Sequence, residues 1–189
     1  MINMVNELRR DYFLDKHVII AKERSKRPTD FAANTRGVGE GECFFCPGSE
    51  DKTPPEIMRK TGQGGWTIRV FPNKYPAVEP KKDKHASQGE GEFIQPAWGH
   101  HEIVVETPRH GESICDLGVG GMAEVLRVFV DRITALKQEK DVEYVSLFKN
   151  HGKSAGASLS HSHTQIITTP ITPPLVEEKT RGQRLYAQD

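Results

Sequence analysis

A chain of 189 residues with 26 basic and 26 acidic side chains is long enough for one domain with a real core, and its zero formal net charge removes any global electrostatic case for a nucleic-acid or acidic-membrane partner. Any anionic ligand must therefore be met by local charge. No apolar run approaches the roughly 20 residues of a bilayer-spanning helix, and the opening MINMVNELRRDYFLDKHVII lacks an apolar core followed by a small-residue cleavage site, so the expected compartment is the cytoplasm.

KHVIIA (residues 16–21) reads as a first strand, followed by ERSKRPTDF, a basic loop closed by Pro28. WTIRVF (66–71) alternates as a strand and PNKYPAV turns away from it through two prolines. Residues 79–98 are polar and weakly patterned, which suggests a surface loop without chemistry. HHEIVVET (100–107) is a third strand ended by PRHG. Over residues 118–140, Met122, Leu126, Phe129, Ile133 and Leu136 recur at three- and four-residue spacing, the pattern of a core-packing helix. VEYVSLF (142–148) and SLSHSHTQIITTP (158–170) complete the strands, separated by KNHGKSAGAS. Strands around one long helix give an α+β class. The polar ending ITPPLVEEKTRGQRLYAQD shows no closing element and reads as a connector, which divides the chain into a domain at 1–174 and a connector at 175–189.

In an extended chain, His161, His163 and Gln165 point to one face while Ser162, Thr164 and Ile166 point to the other. Asn150–Ser158 supplies small residues and backbone N–H groups just before them, as phosphate-binding nests do, although an ordinary hairpin loop has the same composition. A neutral imidazole can attack phosphorus, with backbone donors and a glutamine amide stabilising the developing charge. The combination points to phosphoryl or nucleotidyl transfer through a covalent histidine intermediate.

CFFC (Cys43, Cys46) supplies two thiolates spaced for one zinc ion; a redox pair is the competing reading, but no helix signal follows it. Tetrahedral zinc needs two more ligands, and His100, His101, His110, His151, His161 and His163 are all candidates. A metal-bound imidazole has committed its lone pair, so ligand and nucleophile must be different histidines. Cys115 is left over and is expected to be a small buried apolar residue.

ERSKRP, CFFCPG, RVFPNKYPAV, GHHEIVVETPRH and FKNHGKSAGASLSHSHTQ, in this order, resemble the galactose-1-phosphate uridylyltransferase family of the histidine-triad superfamily over nearly the whole chain. HSHTQ is similar to that family's His-Pro-His-Gly-Gln signature and departs at both intervening positions. The SAGAS and SHSH segments also resemble a related branch, ADP-glucose phosphorylase. The resemblance implies a histidine-triad-like domain, an antiparallel sheet with one long helix. It implies His163 as the nucleophile, Gln165 as stabiliser of its nucleotidylated form, and Cys43, Cys46, His110 and His161 as Zn2+ ligands. Arg24 and Arg27 then match phosphate-site arginines, Asn150, Gly156 and Ser158 match positions around the nucleotide phosphates, Asn73 matches a nucleotide contact, and Phe44 and Phe45 fall at the base pocket.

Lys74 stands where uridylyl enzymes commonly carry an aspartate that helps read uracil, which leaves adenine open as the base. Members of the family are about twice as long, in two related halves. The expected partners are therefore a nucleoside-diphosphate sugar, a sugar 1-phosphate, and a homodimer mate or second chain completing the site. The expected reaction is UDP-glucose with galactose 1-phosphate; the alternatives are an ADP-glucose phosphorylase type of transfer and a non-catalytic, zinc-stabilised nucleotide-binding module.

Overall fold

The structure is a computed structural model and describes residues 6–27, 43–81 and 93–187, with the Glu23 side chain excluded. Pro28, most of the segment at 79–98 and the last two residues of the expected connector lie outside the described residues.

Strands β1 (Glu7–Arg10), β2 (His17–Ile20) and β5 (Ile94–Pro96) form a small antiparallel sheet in the order β2-β1-β5. Strands β3 (Met58–Gly62), β4 (Gly65–Pro72), β6 (His101–Val105), β7 (Tyr144–Phe148) and β8 (His163–Thr169) form the main sheet, antiparallel throughout, in the order β3-β4-β6-β8-β7. Helix α1 spans Gly118–Leu136 and helix α2 spans Pro174–Tyr186. The α+β class and the antiparallel sheet agree with the sequence reading, while β1, β3, β5 and α2 were not foreseen.

The two-residue period of the central strands divides the main sheet into a core face and a site face. On the core face, Ile68, Val70, Val104 and Ile166 pack against Val125, Val128, Phe129 and Leu136 of α1. On the other face, Phe71, Ile103 and Val105 pack with Cys43, Phe45, Cys46 and Trp66. Phe129 and Leu136 are buried as expected, but Leu126 is 51% exposed, and Val125 and Val128 take the other buried positions of α1. Val119 and Val130 are also exposed, so the helix carries apolar residues outside its core stripe, and periodicity alone could not choose the phase.

Two further expectations are corrected. Cys115 is exposed, within the 3-10 turn Ile114–Asp116, where Ile114 and not Cys115 packs against the core. The ending after β8 contains α2, which buries no side chain; Pro174 opens it, Glu177 lies in its first turn and Arg184 in its last, placements that suit a helix end by end.

β6 and β8 pair with His101 opposite Ile167 and Ile103 opposite Gln165. Just before this pairing, Gly99 has φ +154°, and a Cβ there would fall 2.2 Å from the Thr168 carbonyl oxygen. The flanking bonds tie the strands at that point: Thr168 N–H donates to the His100 carbonyl at 2.9 Å and His100 N–H to Thr168 Oγ1 at 2.7 Å. Asn6 joins the two sheets. Its Nδ2 donates to the Pro76 carbonyl, its Oδ1 accepts from Lys22 N–H, and its carbonyl accepts from Ala97 N–H.

Candidate active site and metal centre

Cys43 and Cys46 sit on a tight turn in which Cys46 N–H donates to the Cys43 carbonyl and Phe45 N–H points at Cys43 Sγ, 3.4 Å away. The two sulfurs meet His110, just beyond β6, and His161, two residues before β8 begins. Cys43 Sγ and Cys46 Sγ each lie 3.6 Å from His161 Nδ1, and Cys46 Sγ lies 3.5 Å from His110 Nδ1. Zinc with S at about 2.3 Å and N at about 2.0–2.1 Å places tetrahedral S and N ligands about 3.6 Å apart, which these separations match. All four ligand atoms lie within 4.8 Å of one another.

The outer nitrogens support the same arrangement. His161 Nε2 is 2.9 Å from the Thr107 carbonyl, to which only an N–H can donate, so Nδ1 keeps its lone pair facing the sulfurs. His110 Nε2 is 3.1 Å from Ser160 Oγ. Burial holds the His161 pKa below its ordinary value, with the Thr107 bond opposing. The cluster is a Cys2His2 set able to hold a metal ion; His100, His101, His151 and His163 are not part of it.

His163 opens β8 on the site face, beside the cluster. Its Nδ1 lies 2.8 Å from the His161 carbonyl, so Nδ1 carries the proton and Nε2 carries the lone pair. Phe45 packs edge-on against the ring at 5.3 Å between centroids. Behind the strand, Lys149 Nζ donates to the His163 carbonyl at 3.1 Å, to Ser162 Oγ at 2.8 Å and to Glu106 Oε2 at 2.7 Å, while Ser162 and Thr164 hydroxyls donate to the buried Glu106 carboxylate. Ser162 and Thr164 therefore face away from the pocket, as alternation requires.

A pocket opens in front of His163 and Gln165. Arg24, Arg27, Phe44, Phe45, Asn73, Gly156 and Ser158 all line it, so the structure gathers these expected ligand residues around one cavity. Asn150 does not line it. Lys52, Thr53, Pro54 and Tyr75 also line it, and nothing in their local pattern marks them; Lys74, noted in the sequence for its bearing on the base, lines it too. Arg24 donates to the Tyr75 carbonyl at 3.1 Å, and Arg27 reaches the Gly156 carbonyl at 3.5 Å. Burial, and then the neighbouring Arg27, lower the Arg24 pKa. Two guanidinium groups at one mouth suit an anion.

His101 was missed except as a candidate ligand. Its ring is buried between Ala77 N–H, 3.0 Å from Nδ1, and Gln165 Oε1, 3.0 Å from Nε2. Burial drives its pKa down to about 4, with the Gln165 bond opposing and the Arg24 charge adding to the fall.

The sequence matches the family described as galactose-1-phosphate uridyl transferase, N-terminal domain, over residues 1–173. The chain belongs to this family. The ADP-glucose phosphorylase of Arabidopsis thaliana is similar at 33% identity, with 99% of this chain and 55% of that protein covered. The galactose-1-phosphate uridylyltransferase of Thermotoga maritima is 28% identical, with 97% of this chain and 52% of that protein covered. A crystal structure of the Arabidopsis thaliana ADP-glucose phosphorylase with bound ADP-glucose aligns with a TM-score of 0.68 at 32% identity, over 98% of this chain and 55% of that one. A uridylyltransferase structure gives the same TM-score of 0.68 at 28% identity, over 95% of this chain and 51% of that one. This member of the galactose-1-phosphate uridyl transferase family thus spans about half the length of the relatives it matches. Among its described residues, no helix is long and apolar enough to cross a membrane.

Proposed function

We propose that this chain carries the nucleotidyl-transfer site of a nucleotidyltransferase that works through a covalent nucleotidyl-His163. One observation carries the reading: the Nδ1 proton of His163 is committed to the His161 carbonyl, which leaves the Nε2 lone pair as a nucleophile beside a pocket lined by two arginines. In the first step Nε2 attacks the α-phosphorus of a nucleoside-diphosphate sugar. A P–N bond forms, the P–O bond to the distal phosphate breaks, and sugar 1-phosphate leaves with that electron pair. In the second step a phosphate acceptor attacks the same phosphorus and the histidine departs.

Arg24 and Arg27 would neutralise the diphosphate, and the Gln165 amide would donate to the non-bridging oxygens as their charge develops. Cys43, Cys46, His110 and His161 would hold Zn2+, whose chemistry here is to tie the 43–46 turn to the strand ends that carry His163. With galactose 1-phosphate as acceptor the reaction is uridylyl exchange; with inorganic phosphate it is phosphorolysis of ADP-glucose. The 33% identity to an ADP-glucose phosphorylase favours an adenine nucleotide.

Intact-mass measurement after incubation with UDP-glucose or ADP-glucose tests the proposal. The expected result is a UMP or AMP adduct on His163, its mass reporting the base. An unmodified chain with both sugars, under conditions where either binds, would sink the covalent reading and leave a nucleotide-binding module.

A further inference from the structure

We propose that His101 is a positioning residue that locks the Gln165 carboxamide with its amino group turned to the nucleotide phosphate. The proposal deepens the nucleotidyl-transfer reading and rests on it for the identity of the phosphate. His101 does not line the pocket; it lies behind Gln165, one strand over on β6, and can act on substrate only through its neighbour.

The hydrogen-bond chain has one self-consistent assignment. The backbone N–H of Ala77 can only donate, and it points at His101 Nδ1 from 3.0 Å, so Nδ1 is the bare nitrogen. A neutral ring must then carry its proton on Nε2. That Nε2–H needs an acceptor, and Gln165 Oε1 stands 3.0 Å away. The choice between oxygen and nitrogen on the Gln165 amide is thus dictated by a backbone donor four residues beyond Asn73, through the imidazole. With the oxygen held behind, the Gln165 amino group is left for the pocket that Gln165 lines.

Asn73 obeys the same constraint. Its Oδ1 accepts from Tyr75 N–H at 2.9 Å, which leaves its Nδ2 3.1 Å from His101 Nε2. Both nitrogens are donors in this assignment, so the contact is no hydrogen bond and His101 offers the Asn73 amino group no acceptor. Asn73 lines the same pocket. One imidazole thus gives neither the Gln165 nor the Asn73 amino group an acceptor, and both residues line a pocket that would take an acceptor-rich ligand such as a diphosphate. Burial keeps that imidazole neutral, as the arrangement requires. A flipped Gln165 would present its carbonyl oxygen to phosphate oxygens, a repulsive contact where charge develops.

The test uses the full chain. A long-range 15N–1H spectrum of the imidazole nitrogens at about pH 8, well above the ordinary imidazole pKa of about 6.5, should show His101 in the Nε2–H form; an Nδ1–H form overturns the proposal. In quenched-flow measurements with whichever of ADP-glucose or UDP-glucose modifies the unaltered protein, His101→Leu should slow nucleotidyl-His163 formation at saturation by about ten- to a hundredfold. Half-saturation should stay within about threefold, because the amide is needed most where charge develops. His101→Gln, which restores an N–H near Nε2, should recover part of the loss and keeps the test alive if the leucine variant misfolds. In a Gln165→Ala background His101→Leu should have no further effect; additive losses overturn the proposal.

Failure of the underlying function reads differently, as an absent adduct in the unaltered protein. The decision then falls to the Gln165 side-chain amide signals on titration with ADP or UDP. They should shift in the unaltered protein and not in His101→Leu. Equal shifts in both overturn the role.

Discussion

Lys149 donates to the main-chain carbonyl of His163, 3.1 Å away, and so grips the strand that His163 opens from its rear face. The same ammonium neutralises Glu106, whose side chain is fully buried at 2.7 Å. Lys149→Met should therefore leave an uncompensated buried carboxylate and cost about 3–5 kcal/mol of stability. Adding Glu106→Gln should return most of that loss in a denaturant melt. If the single and double variants are equally unstable, Lys149 acts by packing and not by charge.

Metal removal should loosen the same region from the other side. One Zn2+ per chain is expected by elemental analysis, and chelation should lower the melting temperature sharply, since formation of a structural zinc site contributes on the order of 10 kcal/mol in small domains. Unchanged melting of the stripped protein would show that the four ligands are held by their own packing.

The two histidines on either side of Ser162 should separate cleanly. His163→Gly is expected to abolish the nucleotidyl adduct with metal content unchanged, whereas His161→Ala should lose metal as well as activity, because His161 Nδ1 faces both sulfurs. The opposite pattern in paired metal and adduct assays would reverse the roles.

Much of this was legible before folding. The alternation HSHTQ announced a shared face for His163 and Gln165, and the Cys-x-x-Cys turn announced two members of the Cys2His2 cluster. The other two members of the cluster were not readable from spacing, because His110 and His161 come together only through the β6–β8 pairing. β1 and β3, ELRR and MRKTG, are short and polar, and sheet pairing rather than apolar pattern makes them strands. α2 carried its signals at its ends, and a reading based on apolar periodicity passed over them. The phase of α1 depended on which of two apolar stripes the sheet would cover.

Acid should expose the buried imidazole. The folded pKa of His101 is about 4, below its ordinary 6.5. Between those values the unfolded chain binds a proton that the folded chain refuses, so stability falls as pH drops from 6.5 toward 4 and this contribution is fully retained above 6.5. The loss should be on the order of 3 kcal/mol at the acid end. The difference between the stability curves of the unaltered protein and His101→Gln isolates it from the carboxylates. Parallel curves would mean that the ring takes up its proton as readily in the folded chain as in the unfolded one.

Arg24 and Arg27 should diverge. Arg27 is tied to the rest of the chain by a long bond to Gly156, so Arg27→Ala should weaken nucleotide-sugar binding with a change in stability of less than about 1 kcal/mol. Arg24 also holds the Tyr75 carbonyl, and Arg24→Ala should lower both affinity and melting temperature. Matching stability losses, measured beside binding by calorimetry, would refute the distinction.

Gly99 bears on how natural variation in such a chain should be interpreted. A single methyl group there would drive into the Thr168 carbonyl and spread β6 from β8 two residues before His101 and three residues after Gln165. Residue 99 touches no part of the pocket. Yet an inherited Gly99→Ala allele would produce the biochemical phenotype of a damaged active site, and a screen that ranks substitutions by distance from bound substrate would score it as benign.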